Sequence, residues 1–235
     1  MKTIGLVGGT SWVSTLEYYR LINEGVNARL GGLAAARCII YSFNFADIAR
    51  LKAGDPEQRR VRPLVVDAAR RLEAAGADGL VLCANTLHLF ANSVSDAVAV
   101  PVIHIADVVA ATVRAAGLAT VGLLGTRATL ELDFYTRRLA AAGITALIPE
   151  SADRQFMDDA IMSEMVRGVF RPEVKQRFLD IIAALVTRGA EGVVLGCTEI
   201  PLLLDGAGAS VPLFDTLAIH ARSAVAFAVG EMASR

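Results

Sequence analysis

The chain has 235 residues, a net charge of −1, a hydrophobic fraction of 54% and 20% charged residues. That balance excludes a disordered polypeptide, and the near-zero charge gives no field for gathering a nucleic acid. Mean hydropathy is +0.49, yet no run reaches the ~18 uncharged apolar residues of a membrane span, since the richest stretch, 105–124, contains Asp107 and Arg114.

Read in chain order, short apolar runs alternate with helical patterns. Residues 3–7 form a strand that ends in Gly8-Gly9, too short for a signal sequence. The protein is therefore expected in the cytoplasm, with no membrane and no nucleic-acid partner. Residues 14–30 are helical, with Leu16, Tyr19, Ile22 and Val26 on one stripe and Gly31-Gly32 as the stop. A strand at 37–42, a long helix at 56–75 and strands at 79–82 and 100–105 follow. The pattern then restarts with a strand at 120–124, a helix at 129–142, a strand at 145–148, a helix at 171–188 and a strand at 192–195. Such alternation predicts α/β architecture, with parallel sheets covered by helices.

The restart is a repeat. Ile4-Gly5-Leu6-Val7-Gly8-Gly9-Thr10 matches Val121-Gly122-Leu123-Leu124-Gly125-Thr126, and Gly76-Ala77-Asp78-Gly79-Leu80-Val81-Leu82-Cys83 matches Gly189-Ala190-Glu191-Gly192-Val193-Val194-Leu195-Gly196-Cys197. Val100-Pro101-Val102-Ile103 matches Val211-Pro212-Leu213-Phe214 in the same order. The sequence thus predicts two pseudo-symmetric lobes with an active site in the cleft between them. The first is 1–104 plus 213–235 and carries Cys83; the second is 105–212 and carries Cys197.

Ligands of open α/β sheets bind at the carboxyl ends of strands, where the repeat puts one cysteine per half. A helix is expected to start just beyond each, and helix N-termini lower thiol pKa values and bind anions. Buried cysteines usually act as small hydrophobes, and Cys38, within an apolar strand, is expected to be one. Polar neighbours set Cys83 and Cys197 apart: Ala84-Asn85-Thr86 and Thr198-Glu199. Three cysteines do not make a disulfide framework, and the chain has no CxxC or HExxH spacing and only scattered histidines, so no metal is expected. The glycine loop is neither GxGxxG nor a P-loop, and none of Lys2, Lys52 and Lys175 sits in a pyridoxal-phosphate setting, so no cofactor is expected. What remains is a paired acid and base on opposite faces of one carbon, a racemase or epimerase design.

Gly8-Gly9-Thr10-Ser11-Trp12-Val13-Ser14-Thr15 with Tyr18-Tyr19, Cys83-Ala84-Asn85-Thr86 with His88, and Leu195-Gly196-Cys197-Thr198-Glu199-Ile200 resemble the aspartate/glutamate racemase family over nearly the whole chain. Val13 departs from the family pattern, which commonly has a glutamate there, and this bears on substrate preference. The resemblance implies a cofactor-independent, two-cysteine racemase of two Rossmann-like lobes, a homodimer acting on a small amino acid, with Cys83 on the D-face and Cys197 on the L-face. It implies that Asn85, Thr86 and Thr198 hold the α-carboxylate, with Ala84 and Glu199 also binding substrate. Thr10 and Ser11 are candidate carboxylate donors, or else caps of the next helix. Lys52 and Arg171 lie in the two loops where a cation for a second carboxylate is expected. His88 either tunes a thiol or lies on a helix surface. Alternatives are a maleate isomerase, a hydantoin racemase, a malonate decarboxylase, a non-catalytic amino-acid-binding protein or a cysteine hydrolase. Two thiols argue against the decarboxylase, and no spacing pairs His104 or His220 with either cysteine as a hydrolase would need.

Overall fold

The computed structural model describes residues 1–231 apart from Pro56, Gly206 and Ala207. The chain divides into two compact units, Met1–Ile105 together with Leu217 onward, and Ala106–Thr216. The first contains β1 (Thr3–Gly8), α1 (Trp12–Leu30), β2 (Arg37–Ser42), α2 (Phe45–Lys52), α3 (Arg62–Ala74), β3 (Gly79–Leu82), a 3-10 turn (Asn85–Phe90), α4 (Ala91–Ser95) and β4 (Val102–Ile103). Its four strands are all parallel, in the order β2-β1-β3-β4.

After α5 (Ile105–Ala115), the second unit repeats the plan with β5 (Thr120–Leu124), α6 (Arg127–Glu131), α7 (Phe134–Ala141), β6 (Thr145–Leu147), α8 (Ser151–Ser163), a 3-10 turn (Met165–Arg167), α9 (Pro172–Thr187), β7 (Gly192–Leu195), α10 (Ile200–Leu204) and β8 (Leu213–Asp215). The strands are again parallel, in the equivalent order β6-β5-β7-β8. The last helix, α11 (Thr216–Val229), joins the first unit. The sequence reading placed residues 213–216 with the first lobe. They stay with the second unit because β8 pairs with β7, Phe214 opposite Val194.

The buried strands explain the high hydropathy. β3 (GLVL) and β7 (GVVL) are buried at every residue, as strands with a neighbour on each side and helices on both faces must be. The helices present apolar stripes to these sheets: Val65, Ala68, Ala69 and Leu72 on α3, and Val174, Phe178, Ile181, Ile182 and Leu185 on α9. On α11, Phe227 fills the space that a side chain on Gly79 would need, and Ala228 accepts a hydrogen bond from Lys2 N at 2.9 Å. Residues 105–124 split into α5 and β5, and among the described residues no helix is long and apolar enough to cross a membrane.

Two expected helices are shorter than the apolar pattern suggested. Pro56, the expected start of the long helix, lies outside the described residues, and α3 begins only at Arg62. Before it, Asp55 accepts from Arg60 N at 2.9 Å and Gln58 takes a left-handed φ of +54°, so local side-chain bonds outcompete helix there. Residues 129–142 are interrupted at Leu132, whose φ of −94° and ψ of +104° are extended. Cys38 is only half-buried, because β2 is an edge strand.

Candidate active site

In the first unit the candidate residues gather at the carboxyl ends of two adjacent strands. Val7 of β1 is in register with Leu82 of β3, so Gly8-Gly9-Thr10 and Cys83 leave the sheet side by side. Gly9 has a φ of +83°, and a Cβ there would collide with the backbone N and O of Phe43. Its N–H donates to Thr15 Oγ1 at 2.9 Å, which in turn donates to Ser11 O at 3.0 Å. Ser11 caps α1, its Oγ accepting from Ser14 N at 3.4 Å, so the capping alternative for Ser11 is occupied. Thr10 is buried, and its Oγ1 has no hydrogen-bond partner among the described residues. A hydroxyl held out of water without an acceptor costs about 1–3 kcal/mol, which a ligand carboxylate would offset.

Cys83 follows β3 directly. Its N–H donates to Val7 O at 2.9 Å, and its buried Sγ lies 3.8 Å from Val81 O. Ala84 is extended and half-buried, Asn85 is buried at the start of the 3-10 turn, and Thr86 is half-buried. His88 is not on a surface: it is buried, its Nδ1 3.0 Å from Ala84 O.

The second unit repeats this arrangement with one addition. Gly196 N donates to Leu124 O at 2.7 Å, and a Cβ on Gly196 would lie only 2.6 Å from that oxygen, so the turn into Cys197 requires glycine. Cys197, Thr198 and Glu199 are all buried. Glu199 Oε2 accepts from Cys197 Sγ at 3.1 Å and from Thr198 Oγ1 at 2.8 Å. This carboxylate is directed at the thiol, a role the sequence reading did not give it; the Cys-x-Glu spacing at a strand end was the available signal.

The sequence suggested helix N-termini that lower both thiol pKa values. The structure puts a 3-10 turn after Cys83 and the five-residue α10 after Cys197. Burial instead pushes both thiols up, and at Cys197 the Glu199 charge adds to the rise. Each thiol therefore rests protonated.

The basic candidates are less integrated. Lys52 ends α2 and is half-buried. Arg171 caps the start of α9, exposed, with Glu164 Oε2 3.2 Å away and Glu173 Oε1 at 4.0 Å. The described cysteines are all free thiols, and among the described residues no group of three or more His, Cys, Asp and Glu could hold a metal ion.

A fold of two repeated parallel sheets, each with a thiol at the end of the same strand, defines a two-lobed α/β protein of the racemase type. The family model described as Asp/Glu/Hydantoin racemase matches residues 7–224, and the chain belongs to that family. It is similar to a Yersinia pestis protein proposed to be an Asp/Glu racemase, at 41% identity and a TM-score of 0.90 over 97% of this chain and 100% of the other. An aspartate racemase homologue from Pyrococcus horikoshii matches at 34% identity and a TM-score of 0.82, with the same two coverages of 97% and 100%. The broad specificity amino-acid racemase RacX of Bacillus subtilis is 23% identical over 168 residues, 70% of this chain and 71% of that protein.

Proposed function

We propose that this protein is a cofactor-independent racemase of aspartate or glutamate, with Cys83 and Cys197 as the paired base and acid at Cα. The observation that carries the reading is the buried cysteine at the end of β3 and again at the end of β7, equivalent strands of two sheets of the same order. One thiol, as thiolate, takes the α-proton from one enantiomer and leaves a planar carbanion; the other thiol delivers its proton to the opposite face. The product is the mirror image, each sulfur has exchanged its protonation state, and the reverse turn restores both. By the family likeness, Cys83 serves the D-enantiomer and Cys197 the L-enantiomer.

A thiolate must be made from each resting thiol. At Cys197 the acceptor is Glu199, 3.1 Å from Sγ, so the proton need not leave the protein. The unpartnered hydroxyl of Thr10 donates to the substrate carboxylate, with Ala84, Asn85, Thr86 and Thr198 around it. Lys52 in the first unit and Arg171 in the second are the proposed cations for the side-chain carboxylate. The family likeness supports a homodimer in the cytoplasm.

The test is incubation with each enantiomer of a panel of amino acids in D₂O, with EDTA present. Deuterium at Cα and inversion are expected for aspartate or glutamate, and Cys83→Ser and Cys197→Ser should each abolish inversion. A single-cysteine variant that still inverts its substrate would refute the paired mechanism.

A further inference from the structure

The three histidines, scattered in the sequence, converge in the first unit. His88, His104 and His220 are all buried. The His88 ring centroid lies 4.6 Å from that of His104 and 5.3 Å from that of His220, and Tyr18 packs edge-on against His220 at 5.5 Å. Each comes from a different element: the 3-10 turn after Cys83, the residue after β4, α11 and α1.

Their hydrogen bonds fix where the ring protons sit. Ile103 O only accepts, so His220 Nε2, 2.7 Å away, carries the proton, and His220 Nδ1 accepts from Tyr18 OH at 2.8 Å. His88 is the opposite tautomer. Its Nδ1–H donates to Ala84 O at 3.0 Å, and its Nε2 accepts from Ile105 N at 3.1 Å. His88 is neutral because its Nε2 accepts from a backbone N–H, and His220 is neutral because burial lowers its pKa to about 4, so that its Nδ1 is the acceptor of the Tyr18 bond.

Cys83 is thereby held from both sides. Its own N–H is tied to β1 through Val7 O, and the carbonyl of the next residue is tied to the His88 ring. We propose that His88 is the positioning residue for Cys83: its Nδ1–H clamps the Ala84 carbonyl and so sets the direction in which the thiol leaves β3. The ring can do this because Ile105 N and the His104 and His220 rings brace it. The titratable groups facing it are His104 after β4, His220 on α11 and, through His220, Tyr18 on α1. Burial, then the two neighbouring imidazoles, hold His88 well below the ordinary histidine pKa, which keeps the clamp in its neutral form at physiological pH.

The inference rests on the two-thiol reading for its kinetic test. Elimination from β-chloroalanine requires only proton abstraction, so each enantiomer reports on one thiol. His88→Asn puts an amide near the Nδ1 position and can keep the clamp; His88→Gln puts it near Nε2 and loses the clamp. With His88→Gln, elimination from the enantiomer served by Cys83 should fall at least about ten-fold and the other should stay within about two-fold. His88→Asn should retain the Cys83 side within about three-fold of the unmodified protein. Equal loss for both enantiomers, or no difference between the two variants, overturns the proposal. A second measurement needs neither a variant that folds nor an active enzyme. In ¹⁵N-histidine-labelled protein, the ring resonances assigned to His88 should be those of the Nδ1–H tautomer at neutral pH, and the Nε2–H tautomer there overturns the proposal. If the unmodified protein eliminates neither enantiomer, the two-thiol reading fails, and the tautomer still decides the clamp.

Discussion

Acid should loosen the first unit through its buried imidazoles, and His220 gives the scale. Burial lowers its pKa to about 4, against about 6.5 for an exposed histidine. In that interval the unfolded chain binds a proton that the folded ring refuses, so stability is complete above the unfolded value and is lost as pH falls toward the folded one. The whole interval corresponds to about 3 kcal/mol, of which about 2 kcal/mol is gone by about pH 5. His88 acts in the same direction, its pKa held further down by burial and by His104 and His220. The carboxylates with lowered pKa values, Glu17, Asp55, Glu131 and Glu191, titrate below this window and do not confuse it. Amide exchange in β1 and β3, followed from about pH 8 to about pH 5, reads the opening of this unit alone, which matters because two units need not unfold together. His220→Gln keeps a donor for Ile103 O but cannot titrate. It should be less stable than the unmodified protein at about pH 8, and that deficit should narrow by about 2 kcal/mol at about pH 5. A deficit that stays constant with pH would refute the argument.

Gly9→Ala should abolish racemisation and lower the melting temperature, because a Cβ at φ +83° would collide with the Phe43 backbone and the Thr10 loop would have to move; calorimetry and an activity assay check both, and a normal melting temperature would contradict the geometry. Glu199→Gln should cut elimination from the enantiomer served by Cys197 at least about ten-fold near neutral pH, with the other enantiomer unaffected. Its residual rate should climb with pH, because the thiol must then lose its proton to water; a flat pH profile would show that Glu199 is not the acceptor.

The linear sequence determined the fold class and the repeat, because buried parallel strands impose local signatures. Thr3–Gly8 and Gly192–Leu195 are short apolar runs rich in Ile and Val and ended or bounded by glycine, the length and punctuation that favour a buried strand over a helix. It also located Cys83 and Cys197, since a strand end is a position along the chain. What depended on distant residues was not legible. Apolar periodicity also hid two local features: the Asp55 bond to Arg60 N that shapes the segment before Arg62, and the extended conformation of Leu132 in the middle of a helical pattern. The lowering of the thiol pKa values expected from a helix end does not follow, because a 3-10 turn follows Cys83, only a five-residue helix follows Cys197, and burial pushes both thiols up. The histidines show the limit best. His88 and His220 stand far apart in the sequence, and no periodicity joins them. Only the return of α11 to the first unit places His220 against Tyr18 and beside His88, because burial and hydrogen-bond geometry belong to the packed chain and not to any segment of it.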